Sequence, residues 1–233
     1  MFRERGIHMD EEAKKLFAKK EQQRQIEMER YRRDSEPVFA DLAKSGFQLE
    51  YLEEMYSKRF NNKSTVPVLL KWLPLVDNLA VKEVIVRALS VPWAKPIAQK
   101  PLLVEFNKLI NTSEIGIKWA IANALSIVAT DESYNEIVNL LQDPRSGSAR
   151  EMLTLALGNM KNPQAEDILI DLLEDNLVAG HAIIALGKLR STKAYDEIKK
   201  FQNHPKSWIR TEAKRAMVKI EKSKSKSENN ILS

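Results

Sequence analysis

Side-chain chemistry starts with imidazoles, thiols, converging carboxylates or glycine-rich turns, and this 233-residue chain spaces few of them usefully. Its three histidines are His8, His181 and His204, and none has a second ligand-type residue at metal-site spacing, so no metal centre is expected. His181 sits at the edge of an apolar helical stripe and reads as a partly buried helix histidine rather than a ligand or general base. His204 precedes Pro205 in a turn and is expected to face water. There are no cysteines, which excludes disulfides, thiolate ligands and cysteine nucleophiles. Gly187-Lys188 lacks the upstream glycine of a phosphate-binding loop, and "SGS" at 146–148 joins helices rather than a strand to a helix. Adjacent acids such as Glu53-Glu54 and Glu166-Asp167 diverge on a helix. The sequence therefore predicts no catalytic residues, no cofactor and a non-enzymatic role.

The elements that position these residues are helical. Only 7 glycines and 9 prolines interrupt the chain, 43% of it is hydrophobic, and period-2 alternation is not sustained. No leader-like start and no long uncharged apolar run is visible, so a cytoplasmic protein without membrane contact is expected. The net charge of +5 is unevenly spread: residues 1–36 hold 10 basic and 9 acidic side chains, 37–187 hold 14 and 18, and 188–233 hold 13 and 5.

Five segments align on a small residue followed by a large one: Ala88-Leu89, Ala124-Leu125, Ala156-Leu157, Ala185-Leu186 and Ala216-Met217. Counting from that anchor, positions seven and three before, the anchor pair, and four after are apolar, which keeps them on one stripe of a 3.6-residue helix. The alanine is small enough to let a neighbouring helix approach. Gly158 and Gly187 are read the same way. A second helical segment precedes each anchor helix, so each unit is a helix pair of about 30 residues, which must stack to cover its apolar face.

"ALGNM" at 156–160 and "ALGKL" at 185–189 resemble the second helix of HEAT-like repeats, especially the short variety found in phycobilin lyases. A basic residue six before the anchor, at Lys82, Lys118, Arg150 and Arg210, is similar to that pattern, and Ala179 departs from it. The resemblance implies an all-α, right-handed α-solenoid of about five helix pairs, whose second helices line the concave side. The basic residues six before the anchor are expected to bond to neighbouring loops.

The chain divides into a charged, solvated helical arm at 1–36 with no sustained heptad pattern, broken by Ser35-Glu36-Pro37. A helical hairpin follows at 37–63, then the repeats at 64–221 and a disordered basic tail at 222–233. The concave groove is expected to expose positions five, two and one before the anchor. Those positions give Arg87, Trp119, Leu155, Ile183 and Ile184, and the basic position six before adds Arg150, as the candidate contacts for another protein or an extended peptide, with the gap at Ala179 as the apolar spot. The alternative is nucleic acid held by Lys206, Arg210, Lys214, Arg215 and Lys219. A lyase acting on a bound pigment is a third reading, for which no carboxylate or histidine cluster is visible.

Overall fold

The structure is a computed structural model that describes residues 10–56 and 63–231. His8 and residues 57–62 of the expected hairpin lie outside the described residues. The first element, α1, runs Glu11–Lys44 without interruption, about 50 Å at 1.5 Å per residue. Asp10 caps it, its side chain accepting from the Ala13 amide. It ends in a Schellman-type turn in which Gly46 takes φ 89°, the left-handed conformation that favours glycine, and the Phe47 amide donates to the Leu42 carbonyl.

The break expected at Ser35–Pro37 does not occur. An internal proline costs a helix about 3 kcal/mol. Against that cost, α1 buries Val38 and Leu42 completely, each side chain contributing roughly 1.5–3 kcal/mol. Polar ties flank the proline on both sides. The Asn78 amide donates to Asp34 at 3.2 Å, and the Trp72 indole N–H donates to Asp41 at 3.1 Å. Lys71 and Lys44 also bond to Asp41, and these hydrogen bonds hold its carboxyl at about 2. Tertiary contacts override the local breaker. The second half of the expected hairpin is likewise not an α-helix in the described residues. It is a 3-10 turn at Leu52–Tyr56 whose Leu52 and Met55 are buried.

Helix pairs then follow in series. The first helices are α2 (Val66–Trp72), α4 (Gln99–Leu109), α6 (Tyr134–Gln142), α8 (Gln164–Asp171) and α10 (Tyr195–Lys200). The second helices, in the same numbering, are α3 (Leu79–Ala88), α5 (Ile115–Val128), α7 (Ala149–Leu157), α9 (Ala179–Leu189) and α11 (Ser207–Ile231). The predicted stripes form the core: every stripe position of the five repeats is buried except Leu189, which is half-buried, and the first repeat's last position, Pro92, which is exposed beyond the end of α3. The fold is an all-helical α-solenoid.

The second helices stack in one unbroken row, α3 on α5 on α7 on α9 on α11, whereas the first helices α4, α6, α8 and α10 chiefly meet their own partners and α2 leans on α1. Helices on the inside of a curved stack lie closer together, which agrees with the expectation that the second helices form the concave layer. The closest approaches occur where the sequence placed glycine. A Cβ added at Gly158 would lie 2.6 Å from the Ala185 Cβ, and one at Gly187 would lie 2.7 Å from the Ala216 Cβ. The glycine two after one anchor thus receives the anchor alanine of the next repeat. At the C-terminal end the last repeat turns Lys214, Arg215 and Val218 to solvent. The segment expected to be a disordered tail continues α11 to Ile231. Among the described residues no helix is long and apolar enough to cross a membrane.

Candidate functional site

The basic residues six before each anchor are structural. Lys118 donates to the carbonyls of Thr112 and Arg145, each at 3.0 Å, and Arg210 donates to those of His204 and Pro205 at 2.7 and 2.8 Å. Arg150 donates through Nε to the Leu141 carbonyl at 2.6 Å and pairs with Asp175 at 2.7 Å. Lys82 meets buried Glu105 at 2.5 Å. Burial pushes the Glu105 carboxyl up, but Lys108 and Lys82 together hold it below the ordinary range. Lys118, Arg150 and Arg210 thus satisfy carbonyls of the last turn of a first helix or of the connections between helices, and Lys82 neutralises a buried carboxylate. Arg150 and Arg210 are therefore tied down inside the scaffold.

The ladder also crosses between repeats. Arg150 of the third repeat pairs with Asp175 in the turn of the fourth, and Lys118 of the second bonds to the third-repeat turn, where Arg145 pairs with Asp143. Ala179, the gap in the ladder, is matched in the next repeat's turn by His204 in place of an aspartate. Ala179 is 2% exposed, so the gap is closed by packing and offers no apolar opening.

Ile183 is also reassigned. Position two before the anchor is fully buried at Val86, Ala122, Thr154 and Ile183, and is exposed only at Lys214, where no repeat follows. Within one helix this position looks remote from the apolar stripe. Stacking, however, covers a flank of each second helix with the next repeat.

What faces the concave side is therefore a narrower strip, five and one before each anchor. At its start Arg87 and Glu83 form an ion pair at 2.6 Å. Its middle carries half-buried Trp119 and Asn123, Glu151 and Leu155, then Ile184 beside buried Gly180; Thr211 and Arg215 end it, the latter paired with Glu212 at 2.6 Å. Four predicted contacts, Arg87, Trp119, Leu155 and Ile184, thus lie on one continuous strip.

Trp208 was not singled out in the sequence. It stands eight before the last anchor, is 43% exposed, and lies over Gly180: a Cβ added there would meet its ring at 2.1 Å. The available signal was that glycine, which replaces a side chain at the strip position of the fourth repeat. The ring of Trp208 also tilts against His181, centroids 5.6 Å apart. His181 Nδ1 is buried without a hydrogen-bond partner, and burial lowers the imidazole pKa while the Glu151 charge raises it. His204 is half-buried, stacks on Phe201 at 5.9 Å and accepts at Nδ1 from the Lys206 amide at 3.1 Å. Ser146 of the "SGS" loop is buried and donates to the Leu140 carbonyl at 2.6 Å.

Residues 137–218 match the family model for HEAT repeats. That span covers the third, fourth and fifth helix pairs and supports a HEAT-like repeat family. No curated protein and no solved structure matches the chain. In HEAT-like terms the candidate site is the strip of second-helix residues, with Trp119, Leu155, Ile184 and Trp208 contributed by successive repeats. Among the described residues, no group of three histidines or acids is placed to hold a metal ion. Two clefts lie elsewhere. One of about 460 Å³ is lined by Glu27, Arg30, Tyr31 and the start of α3, and one of about 310 Å³ by Arg32, Phe39, Leu49 and neighbours.

Proposed function

We propose that the chain is a non-catalytic protein-binding scaffold whose concave strip takes an extended segment of another protein. The observation that carries this is the run of apolar side chains, Trp119, Leu155, Ile184 and Trp208, one from each of four successive repeats. HEAT repeats commonly serve as protein-interaction scaffolds, which agrees with the reading. Second helices lie about 8–10 Å apart, and an extended chain advances about 3.3 Å per residue. A segment crossing the helices would therefore set roughly every third residue on a new repeat. Large aromatic anchors flanked by polar groups are the side chains that dominate such interfaces. Glu83, Arg87 and Glu151 would orient the segment at its edges.

The test is affinity capture with the intact protein and with Trp119→Ala/Ile184→Asp, followed by mass spectrometry and a binding isotherm on the partner found. Loss of about 10- to 100-fold in affinity with an unchanged melting temperature supports the groove. A partner held equally by both proteins refutes it.

A second reading, nucleic acid, draws on α11. Lys206 just before it and Lys214 and Lys219 on it are exposed, and the helix carries Lys222 and Lys224 beyond buried Ile220. Arg210 and Arg215 are already paired within the chain, which leaves few cations for a phosphate backbone. Its signature would be affinity falling steeply with salt. Absence of any duplex or single-strand shift at low salt removes it.

A further inference from the structure

We propose that the N-terminal part of α1, residues 11–32, pairs antiparallel with the same segment of a second copy of this chain. The argument begins where α1 docks on its own solenoid. Half-buried Tyr31 and buried Ser35, Val38 and Leu42 make that contact, at spacings of 4, 3 and 4, which is one seam of a helix. Because α1 passes through Pro37 unbroken, the seam continues in phase towards the N-terminus. Its next positions are Met28, Arg24, Glu21 and Phe17, at spacings of 3, 4, 3 and 4. Met28 is 59% and Phe17 63% exposed. An established interface thus runs on, uncovered, for about 20 Å beyond the body.

The charges on and beside the seam choose its occupant. In an antiparallel pair each seam position faces the alternate seam position of the other helix. Centred between Gln22 and Gln23, that register sets Phe17 opposite Met28 and Glu21 opposite Arg24. Each pairing occurs twice by symmetry. Beside the seam, Lys20 faces Glu27 and Glu11 faces Arg32. Every charged pairing in this register joins opposite signs. A parallel pair would instead set Glu21 on Glu21 and Arg24 on Arg24, which is repulsive. The arm is therefore complementary to itself in one orientation. Leu16 and Ile26 lie off the seam and take no part. The two solenoids would stand at opposite ends of a shared rod about 30 Å long, giving two concave faces and the avidity that follows from them.

The experiment uses the full chain, which has no cysteine of its own. Sedimentation velocity over a concentration series should show a monomer–dimer equilibrium. Phe17→Glu should weaken it at least tenfold, with an unchanged melting curve because Phe17 is exposed. Glu21→Arg alone should weaken it, and Glu21→Arg with Arg24→Glu should restore it, since the exchange returns opposite charges to the same layer. Orientation is read by oxidation: Phe17→Cys mixed with Met28→Cys should cross-link, and neither alone should. A chain monomeric at every concentration overturns the proposal. So does a dimer indifferent to Phe17→Glu, which would place the contact on the solenoid, or a Phe17→Cys chain that cross-links with itself.

Discussion

Replacing Gly187 with alanine tests the stacking directly. Gly187 lies inside α9 with ordinary helical backbone, so alanine carries no conformational penalty there and gains about 1 kcal/mol of helix propensity. The added Cβ, however, would lie 2.7 Å from the Ala216 Cβ and 2.8 Å from its Cα. Carbon atoms pack at about 3.5–4.0 Å, so α11 must retreat by roughly 1 Å. Overpacking of this kind costs about 1–3 kcal/mol, and here the obstacle is backbone, which cannot swing aside. A net loss of up to about 2 kcal/mol follows, or a melting temperature up to roughly 8 °C lower for a chain of this size. Circular dichroism melts read the global effect, and hydrogen exchange localises it to α9 and α11. Gly180→Ala is the control. Its Cβ would come closer still, 2.1 Å, but to the ring end of Trp208, a side chain 43% exposed. The indole can rotate away, so stability should hold while the tryptophan fluorescence changes. If Gly187→Ala melts like the parent, or Gly180→Ala costs as much, the close-packing argument is wrong.

Three further outcomes are expected. Arg150→Ala should lose about 1–3 kcal/mol in urea unfolding because the buried-end carbonyl of Leu141 and Asp175 lose their donor, and a double-mutant cycle with Asp175→Ala should return a coupling of at least about 0.5 kcal/mol. Glu105→Gln strands the Lys82 ammonium in the core and should destabilise by about 3–5 kcal/mol, whereas exposed Lys108→Ala should cost under about 1 kcal/mol. The folded-state pKa of His181 is depressed, so the unfolded chain binds the proton first: stability should fall as pH drops from about 6.5 and level off once the folded imidazole also protonates. His181→Phe should flatten that interval in a pH series of urea midpoints, and an unchanged slope would contradict the assignment.

The repeat phase was legible because the stripe of a second helix against its own partner obeys the local 3.6-residue period. All five anchors land in the core, and the glycines at 158 and 187 receive the next repeat's alanine as their position implied. The flank facing the next repeat was not legible. Ile183 and the residues equivalent to it are buried by a neighbour about 30 residues away, so no local period announces them. The same holds for Arg150, whose acid, Asp175, belongs to the following turn. Pro37 misled for a different reason: its local cost is real, but Val38, Leu42 and the polar ties of Asp34 and Asp41 outweigh it. Reading a break there also hid the phase that joins Phe17 and Met28 to the docked part of α1.

The concave strip as a protein-binding surface is tested most directly by photo-crosslinking in cells, with the reactive residue placed at Leu155 or Thr211 on the strip and at exposed Glu136 on a first helix. The account predicts peptide adducts of one partner from both strip positions and none from Glu136. Nucleic-acid adducts at the strip, or equal yields from Glu136, would contradict it.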